Sequence, residues 1–535
     1  MSTDNMYGDD ELNGPALAMP SAFTLADVIR KQATLHPNSP AVTFGDATLG
    51  FSDIDQRSSR VANALISAGV QKGDRVAVLS KNAPVFFELA FGCSKAGAIL
   101  AGLNWRLAPV EIEAIMADAE PTVVLVADEE RGLLTEAALA MGGLKLVVGI
   151  DEEYEGWIAA ASEVDPAVVC GPSDVVLLLY TSGTTGVPKG AQLTNANLWF
   201  GERLARETWG FTEHSVNLVG MPMFHIGGIG YGMSAVIVGG HTVLLRVADP
   251  AVIIAAIEKH RVTHAFFVPA VVQTIVSAPG VEDADLSSME LLSYGASPIG
   301  DAVLRRAIAV VGCQFTQSYG MTETAGTIVS LPPADHQPDD ASRSALLRSC
   351  GKALPWIELA LFDPKTGERV PTGSVGEIWV RSAMNMIGYR NKPEETARTI
   401  TTDGWLRTGD AAYANEDGYL FLFDRFKDMI VSGGENIYPA EVENALYDHP
   451  AIAEVAVIGV PHERWGESPK AMVVLRPAMT ATPEELIEFA RTKLARYKCP
   501  SSIDFVESLP RNASGKILKR ELRAPYWVGL ERAIS

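Results

Sequence analysis

Cysteine is scarce in this sequence, and positive charge is outweighed. Only five of 535 residues are cysteines (Cys93, Cys170, Cys313, Cys350, Cys499), far apart and without a CxxC pair, which argues against a disulfide framework or a cysteine-based zinc site. Lys and Arg number 44 against 65 Asp and Glu, a formal net charge of −21. That balance excludes a broad surface for a nucleic-acid backbone, so any anion must be captured locally. No run is long and apolar enough to span a bilayer. The opening MSTDNMYGDDELNG lacks the basic and apolar regions of a secretory signal, and the final ERAIS is no peroxisomal address. The expectation is a cytoplasmic protein without a transmembrane segment.

What is present reads as a folded chain of several lobes. A hydrophobic fraction of 47% with 20% charged residues is ordinary for globular proteins, and the length exceeds what one core serves. From Phe23 onward, strand-like runs (DRVAVLS, AILAGLN, PTVVLVAD, LKLVVGI) alternate with helix-like ones such as PVFFELAFGCSKAG. This is the pattern of βαβ units on parallel sheets, and it resumes through HTVLLR, THAFFVPA, MELLSYGAS and QFTQSYG. Past Gly351 the strands shorten and turns intervene (GEIWVRS, GYLFLFDR), predicting a β-rich lobe. The expected fold class is α/β. A large domain over 1–426 combines parallel-type sheets with the β-rich lobe, and a small mobile α+β domain over 427–535 follows a boundary near Lys427.

The segment LLLYTSGTTGVPKG breaks from an apolar strand into hydroxyls and glycines. Gly183, Gly186 and Gly190 let backbone N–H groups approach a ligand, and Thr181, Ser182, Thr184 and Thr185 add hydroxyl donors, which suits phosphate oxygens. Lys189 is its one cation, but Pro188 before it and Gly190 after it exclude a Walker A loop. QSYGMTET places Tyr319, Gly320, Thr322 and Glu323 at an expected strand-to-helix turn, where a Mg²⁺ ion could bridge the carboxylate and a phosphate. GWLRTGD ends on Asp410, and FDRFKD holds Arg425; a carboxylate and a guanidinium suit the hydroxyls of a ribose. Taken singly, a capped turn or a salt-bridged pair would explain the same residues.

Together these motifs resemble the adenylate-forming superfamily, which includes acyl-CoA synthetases, peptide-synthetase adenylation domains and luciferases. The resemblance runs from about Phe23 to Leu522. It implies that Thr181, Ser182, Gly183, Thr184, Thr185, Gly186, Lys189 and Thr322 bind ATP phosphates and that Glu323, with Thr181, holds Mg²⁺. Tyr319 and Gly320 would meet adenine together with the turn Gly295, Ala296 and Ser297, and Asp410 and Arg425 the ribose. In PRNASGKILKREL, Lys516 would contact carboxylate and phosphate at once, lowering the repulsion between two anions. Lys427 would be the hinge that swings Lys516 away after adenylation, bringing Gly433 and Gly434 toward the pantetheine arm of coenzyme A.

The implied reaction is adenylation of a carboxylic acid by ATP, then transfer to the thiol of coenzyme A. No protein nucleophile is needed, in keeping with the absence of a GxSxG motif. MPMFHIGGIGYG resembles the family's segment beside the acyl pocket, which implies that His225 is a gate between carboxylate and thiol where adenylation domains for α-amino acids place an aspartate; a merely packed histidine is the alternative. Gly227, Gly228, Gly230 and Gly232 leave room for an acyl group or serve close packing, and FFVPA and VVQTIV are expected to line an apolar pocket. Asn195 stands where many relatives have histidine. A medium- or long-chain fatty or other hydrophobic acid is the leading substrate class. Rivals are an acyl-AMP ligase serving a carrier protein, an aryl- or steroid-side-chain acid ligase, a luciferase-like oxidation and a lapsed nucleotide-binding regulator. The sequence leaves open oligomeric state, a homodimer included, and peripheral membrane association.

Overall fold

The computed structural model describes residues 23–181, 188–297, 299–340, 343–425, 428–432, 435–511 and 517–528, with backbone alone for 423–425 and 436. Two sheets with parallel centres form the larger part. In the first, Val175–Thr181, Ile99–Leu103, Arg75–Leu79, Pro121–Val126 and Leu146–Gly149 run parallel in that order, extended antiparallel by Lys189–Thr194 and Gly388–Tyr389. Burial on both faces explains their unbroken Val, Leu and Ala content. In the second, Gln314–Met321, Leu291–Gly295, His264–Phe267, Val216–Val219, His241–Leu244 and Pro40–Phe44 are parallel neighbours, with antiparallel strands beyond both ends.

Helix Val85–Ala96 is buried along its whole length. It packs against Phe51–Ser67 so closely that a Cβ at Gly92 would lie 2.5 Å from the Val61 side chain. The ammonium of Lys95, which has no exposed side-chain surface, is satisfied by Asp55 Oδ1 at 2.6 Å and Ser59 Oγ at 2.8 Å, as a buried charge requires.

A four-stranded antiparallel sheet is built from Glu358–Phe362, Gly376–Arg381, Leu406–Ala414 and Leu420–Arg425, the β-rich lobe that the punctuated sequence predicts. A separate five-stranded sheet uses residues 430–505, with its own core around Ile430, Val457 and Leu486. The architecture is thus α/β, a large N-terminal domain with mixed sheets and a smaller C-terminal one.

Gly351, at φ +96°, lies where a Cβ would meet the Ser330 carbonyl oxygen at 1.9 Å, so overpacking adds to left-handed strain. Gly351→Ala should cost about 3 kcal/mol, and Gly45→Ala, at φ +61° with open space around it, about 1 kcal/mol. Urea midpoints followed by circular dichroism check the ranking.

Candidate active site

The carboxyl ends of parallel strands from both large sheets open onto one cleft of about 1250 Å³. Ligands of open α/β sheets bind at such edges. Thr181 ends one strand there, and Ala296 follows another. Thr322 and Glu323 follow a third. The small domain closes one side through Asp428, Arg511, Ile517 and Lys519.

Glu323 is the best-built group in this cleft. It is 5% exposed, and its Oε1 accepts the Tyr389 hydroxyl at 2.8 Å and the Thr181 hydroxyl at 3.4 Å. The QSYGMTET turn departs from the expected strand-to-helix geometry. Thr322–Thr324 is one 3₁₀ turn leading into the antiparallel strand Gly326–Leu331. Left-handed Ala325 (φ +52°) and Gly326 (φ +118°) stop a helix and reverse the chain. One carboxylate with a neighbouring hydroxyl suits Mg²⁺, which keeps several waters and takes its remaining ligands from phosphates. Among the described residues no group of three or more His, Cys, Asp or Glu gathers as a dedicated metal cage.

Asp410 meets Tyr319 rather than lying apart. The Tyr319 hydroxyl donates to Asp410 Oδ2 at 2.8 Å, and burial together with that carboxylate pushes its phenol far up. Asp410 is directed there by Gly409 (φ +75°), whose N–H donates to the buried Glu377 carboxylate at 2.9 Å. Arg425 is the cross-strand partner of Asp410 in backbone register. Gly295 and Gly320 are required by packing between strands: their Cβ atoms would meet the Ser318 carbonyl oxygen at 2.1 Å and the Gly326 carbonyl oxygen at 1.9 Å, and Gly320 also lines the cleft. Ala296, at φ +66°, is exposed into the cleft beside Ser297, and this Ala is the strained member of the turn.

Lys189 is engaged by protein. Its ammonium forms an ion pair with Glu395 and lies 5.2 Å from the centroid of the Tyr389 ring. Sequence reasoning missed Tyr389 and Glu395, which stand in GYRNKPEETA. The signal available there was a proline opening a short helix, Pro393–Thr399, four positions after an aromatic residue. Ser182, Gly183, Thr184, Thr185, Gly186, Lys427, Gly433, Gly434 and Lys516 lie outside the described residues. Arg511 and Ile517, which flank Lys516, form an antiparallel bridge and both face the cleft.

His225 precedes helix Ile226–Val238 and lines the cleft. The two uses foreseen for the glycines divide by residue. A Cβ on Gly228 would strike the Pro222 carbonyl oxygen at 1.9 Å, and one on Gly232 would touch Met223 and Val219 side chains at 3.4 Å. Those on Gly227 and Gly230 would approach only the Phe266 and Ile226 side chains, at 3.5 and 3.1 Å, and both glycines line the cleft. Phe266 and Val268 of FFVPA line it as expected. The VVQTIV segment does not: helix Pro269–Val276 turns Val272, Ile275 and Val276 into the core. Asn195 has a structural use, accepting the Leu25 N–H at 2.8 Å.

A hydroxyl-lined strand end, a buried carboxylate and an apolar recess in one cleft, covered by a second domain, define the class of two-domain nucleotide-dependent ligases. Comparison with known proteins gives the family. The AMP-binding enzyme model matches residues 29–390, and the AMP-binding enzyme C-terminal domain model matches 441–516. The chain belongs to this adenylate-forming family and is an acid–thiol ligase, of the group of acyl- and aryl-CoA ligases that work through acyl adenylates.

A feruloyl-CoA synthase from Amycolatopsis sp is 41% identical over 498 residues, covering 93% of this chain and 98% of the relative. The fatty acid–[acyl-carrier-protein] ligase ScoC of Streptomyces coeruleorubidus is 38% identical over 525 residues, covering 96% and 99%. Among solved structures, the anthranilate CoA ligase AuaEII in complex with anthranoyl-AMP superposes with a TM-score of 0.88 at 27% identity, covering 95% of this chain and 98% of that one. ATP-bound MatB from Rhodopseudomonas palustris gives 0.85 at 30% identity, covering 94% and 99%.

Enclosure, with a smaller push from Arg106, pulls the His225 imidazole from an ordinary 6.5 down to about 4. The unfolded chain therefore takes up this proton first, so the contribution to stability is full above about 6.5 and is lost as pH falls toward 4. His225→Gln should accordingly flatten the fall in urea midpoint between those two values, with little change above them. Midpoints measured by tryptophan fluorescence across that range check this.

Proposed function

We propose that the protein is an ATP-dependent acyl-CoA synthetase for a hydrophobic carboxylic acid, with a fatty acid of medium or long chain as the leading substrate. The observation that carries this reading is the wall of the cleft. Beyond His225 its lining follows helix Ile226–Val238 from Ile226 to Ile237, roughly 16 Å at about 1.5 Å per residue. Leu204, Leu198, Leu25 and Ala90 join it there. Trp209, Tyr231 and Phe266 form an aromatic cluster beside it, with ring centroids 4.9 to 5.4 Å apart. Among the described residues of that wall there is no carboxylate to hold an amino group, and histidine stands at position 225.

In the mechanism, the carboxylate attacks the α-phosphorus of ATP, giving acyl adenylate and pyrophosphate; the thiol then attacks the carbonyl and AMP leaves. The protein's part is positioning and electrostatics. Thr181, Thr322 and the hydroxyl-rich segment bind phosphate, Asp410 and Arg425 the ribose, and Tyr319 with Ala296 the base. Lys516 bridges carboxylate and phosphate, and the cleft-facing Arg511 and Ile517 support that assignment. Glu323 and Thr181 would hold Mg²⁺, which supplies neutralising charge to the phosphates. Neutral His225 offers a gate without adding charge. Lys427 marks the hinge between a domain over 1–426 and a domain over 427–535.

A carrier-protein thiol as acceptor is favoured by the likeness to ScoC, and a ring-bearing acid by the likeness to the feruloyl-CoA synthase and by the aromatic cluster. Purified protein incubated with ATP, Mg²⁺ and acids from acetate through long-chain fatty and aryl acids, with coenzyme A or holo carrier protein, separates these by mass spectrometry. Acyl-CoA from fatty acids above all others is the expected product; acyl adenylate that accumulates beside coenzyme A overturns the acceptor. Lys516→Ala should lower pyrophosphate exchange by about 100-fold or more while ATP binding persists, read by exchange kinetics and calorimetry.

A further inference from the structure

The sequence singles out Lys189 as the lone cation of a phosphate-binding segment, yet at the wall of the cleft its ammonium is already held by protein. It is 10% exposed and paired with Glu395, itself 25% exposed. Lys189 is the chief cause of the depressed Glu395 pKa. The pair is mounted on a stiff frame. Gly388 and Tyr389 pair antiparallel with Gln192 and Ala191, and the Arg390 N–H donates to the Gly190 carbonyl at 2.9 Å. The Tyr389 N–H donates to Thr396 Oγ1 at 2.9 Å, which ties helix Pro393–Thr399 to that strand.

Between the ion pair and the Glu323 carboxylate stands one aromatic ring. Lys189 Nζ lies 5.2 Å from the Tyr389 centroid on one side, and the Tyr389 hydroxyl donates to Glu323 Oε1 at 2.8 Å on the other. A cation held over a ring fixes where the ring sits and makes its hydroxyl a better donor. If Lys189 left for a phosphate, the Glu395 carboxylate would remain beside the cleft without its largest counter-charge, adding repulsion toward the triphosphate.

We propose that Glu395 is a positioning residue for adenylation: it retains Lys189 over Tyr389, and Tyr389 in turn holds Glu323 in the orientation the reaction uses. This rests on the adenylation reading given above. On it, Lys189 serves the nucleotide through Tyr389 and Glu323, not by direct contact with phosphate.

The test is acid-dependent pyrophosphate exchange with Glu395→Gln, Lys189→Met, the double variant and Lys189→Arg, each first shown by thermal melting to fold. Positioning predicts that both single variants lower kcat by about ten-fold, change KM for ATP by less than about two-fold and raise the Mg²⁺ needed for half-maximal rate several-fold. The double variant should be no worse than either single one, and Lys189→Arg, which keeps charge and stacking, should stay within about three-fold of wild type. The proposal is overturned if Lys189→Met raises KM for ATP about ten-fold while Glu395→Gln leaves it unchanged or lowers it, because Lys189 then acts on phosphate directly. Amide exchange of segments 188–194 and 386–390 without substrate gives a readout independent of turnover. Glu395→Gln should accelerate it, whereas Arg398→Ala, which removes only the exposed second counter-charge of Glu395 and leaves Lys189 in place, should not; equal protection in all forms overturns the proposal. A wild-type protein that exchanges no pyrophosphate with any acid refutes the adenylation reading, and the amide measurement still decides whether the pair holds the frame.

Discussion

Bringing a carboxylate and a triphosphate together inside a protein of net charge −21 is the constraint on which the site depends. Two like charges a few ångströms apart repel strongly wherever water is excluded. The molecule meets this locally. Arg106, Arg407, Arg511, Lys519, Arg520 and Arg523 line the cleft on both the large and the small domain, and Arg511, Lys519 and Arg523 among them are paired with Glu454, Glu443 and Asp428. Glu323 is kept in place by hydroxyls, from Thr181 and Tyr389, which leaves its negative charge available to a cation. His225 is held neutral at the entrance to the apolar recess. Cations along the cleft, a carboxylate satisfied by hydroxyls and an uncharged imidazole all bear on that same repulsion.

The same constraint shapes the fold. A polar cleft between large sheets is stable only if the elements behind it are rigid, and the fully buried helix Val85–Ala96 supplies that backing. Its buried Lys95 and Glu88 are not site residues; they are matched by Asp55, Arg57 and Tyr154 in the interior. The strands facing the cleft end in short, strained turns, with Ala296 and Ala325 in the left-handed region. Such turns persist because the sheets around them fix both ends of each segment.

Much of this was legible in the sequence where one local pattern sufficed. Continuous apolar runs such as PTVVLVAD gave buried parallel strands, and the turn-punctuated region after Gly351 gave the antiparallel sheet. The motifs on Thr181 and Glu323 pointed to neighbouring positions, whereas Asp410, 229 positions beyond Thr181, meets Tyr319 only through folding. What the sequence hid was partnership at long range. Nothing in PKG announces that Lys189 pairs with Glu395, or that Tyr389 reaches Glu323. The helix expected after QSYGMTET failed for a local reason, because Ala325 gives no sign in sequence that it will take a left-handed conformation. That neighbouring backbone requires glycine at 295 and 320 was equally hidden, because the carbonyls concerned are brought there by strand pairing.

Helix Ile226–Val238 carries a further consequence. One face of its first turns is locked, since Gly228 lies against the Pro222 carbonyl, whereas the positions of Gly227 and Gly230 open toward the cleft and meet only movable side chains. The residues proposed for phosphate and ribose are carried by other strands and turns. Selection can therefore resculpt the acid chamber one side chain at a time without disturbing the nucleotide machinery. A duplicated gene would need few steps at these two positions to acquire a new diet, and a protein engineer would begin at the same place.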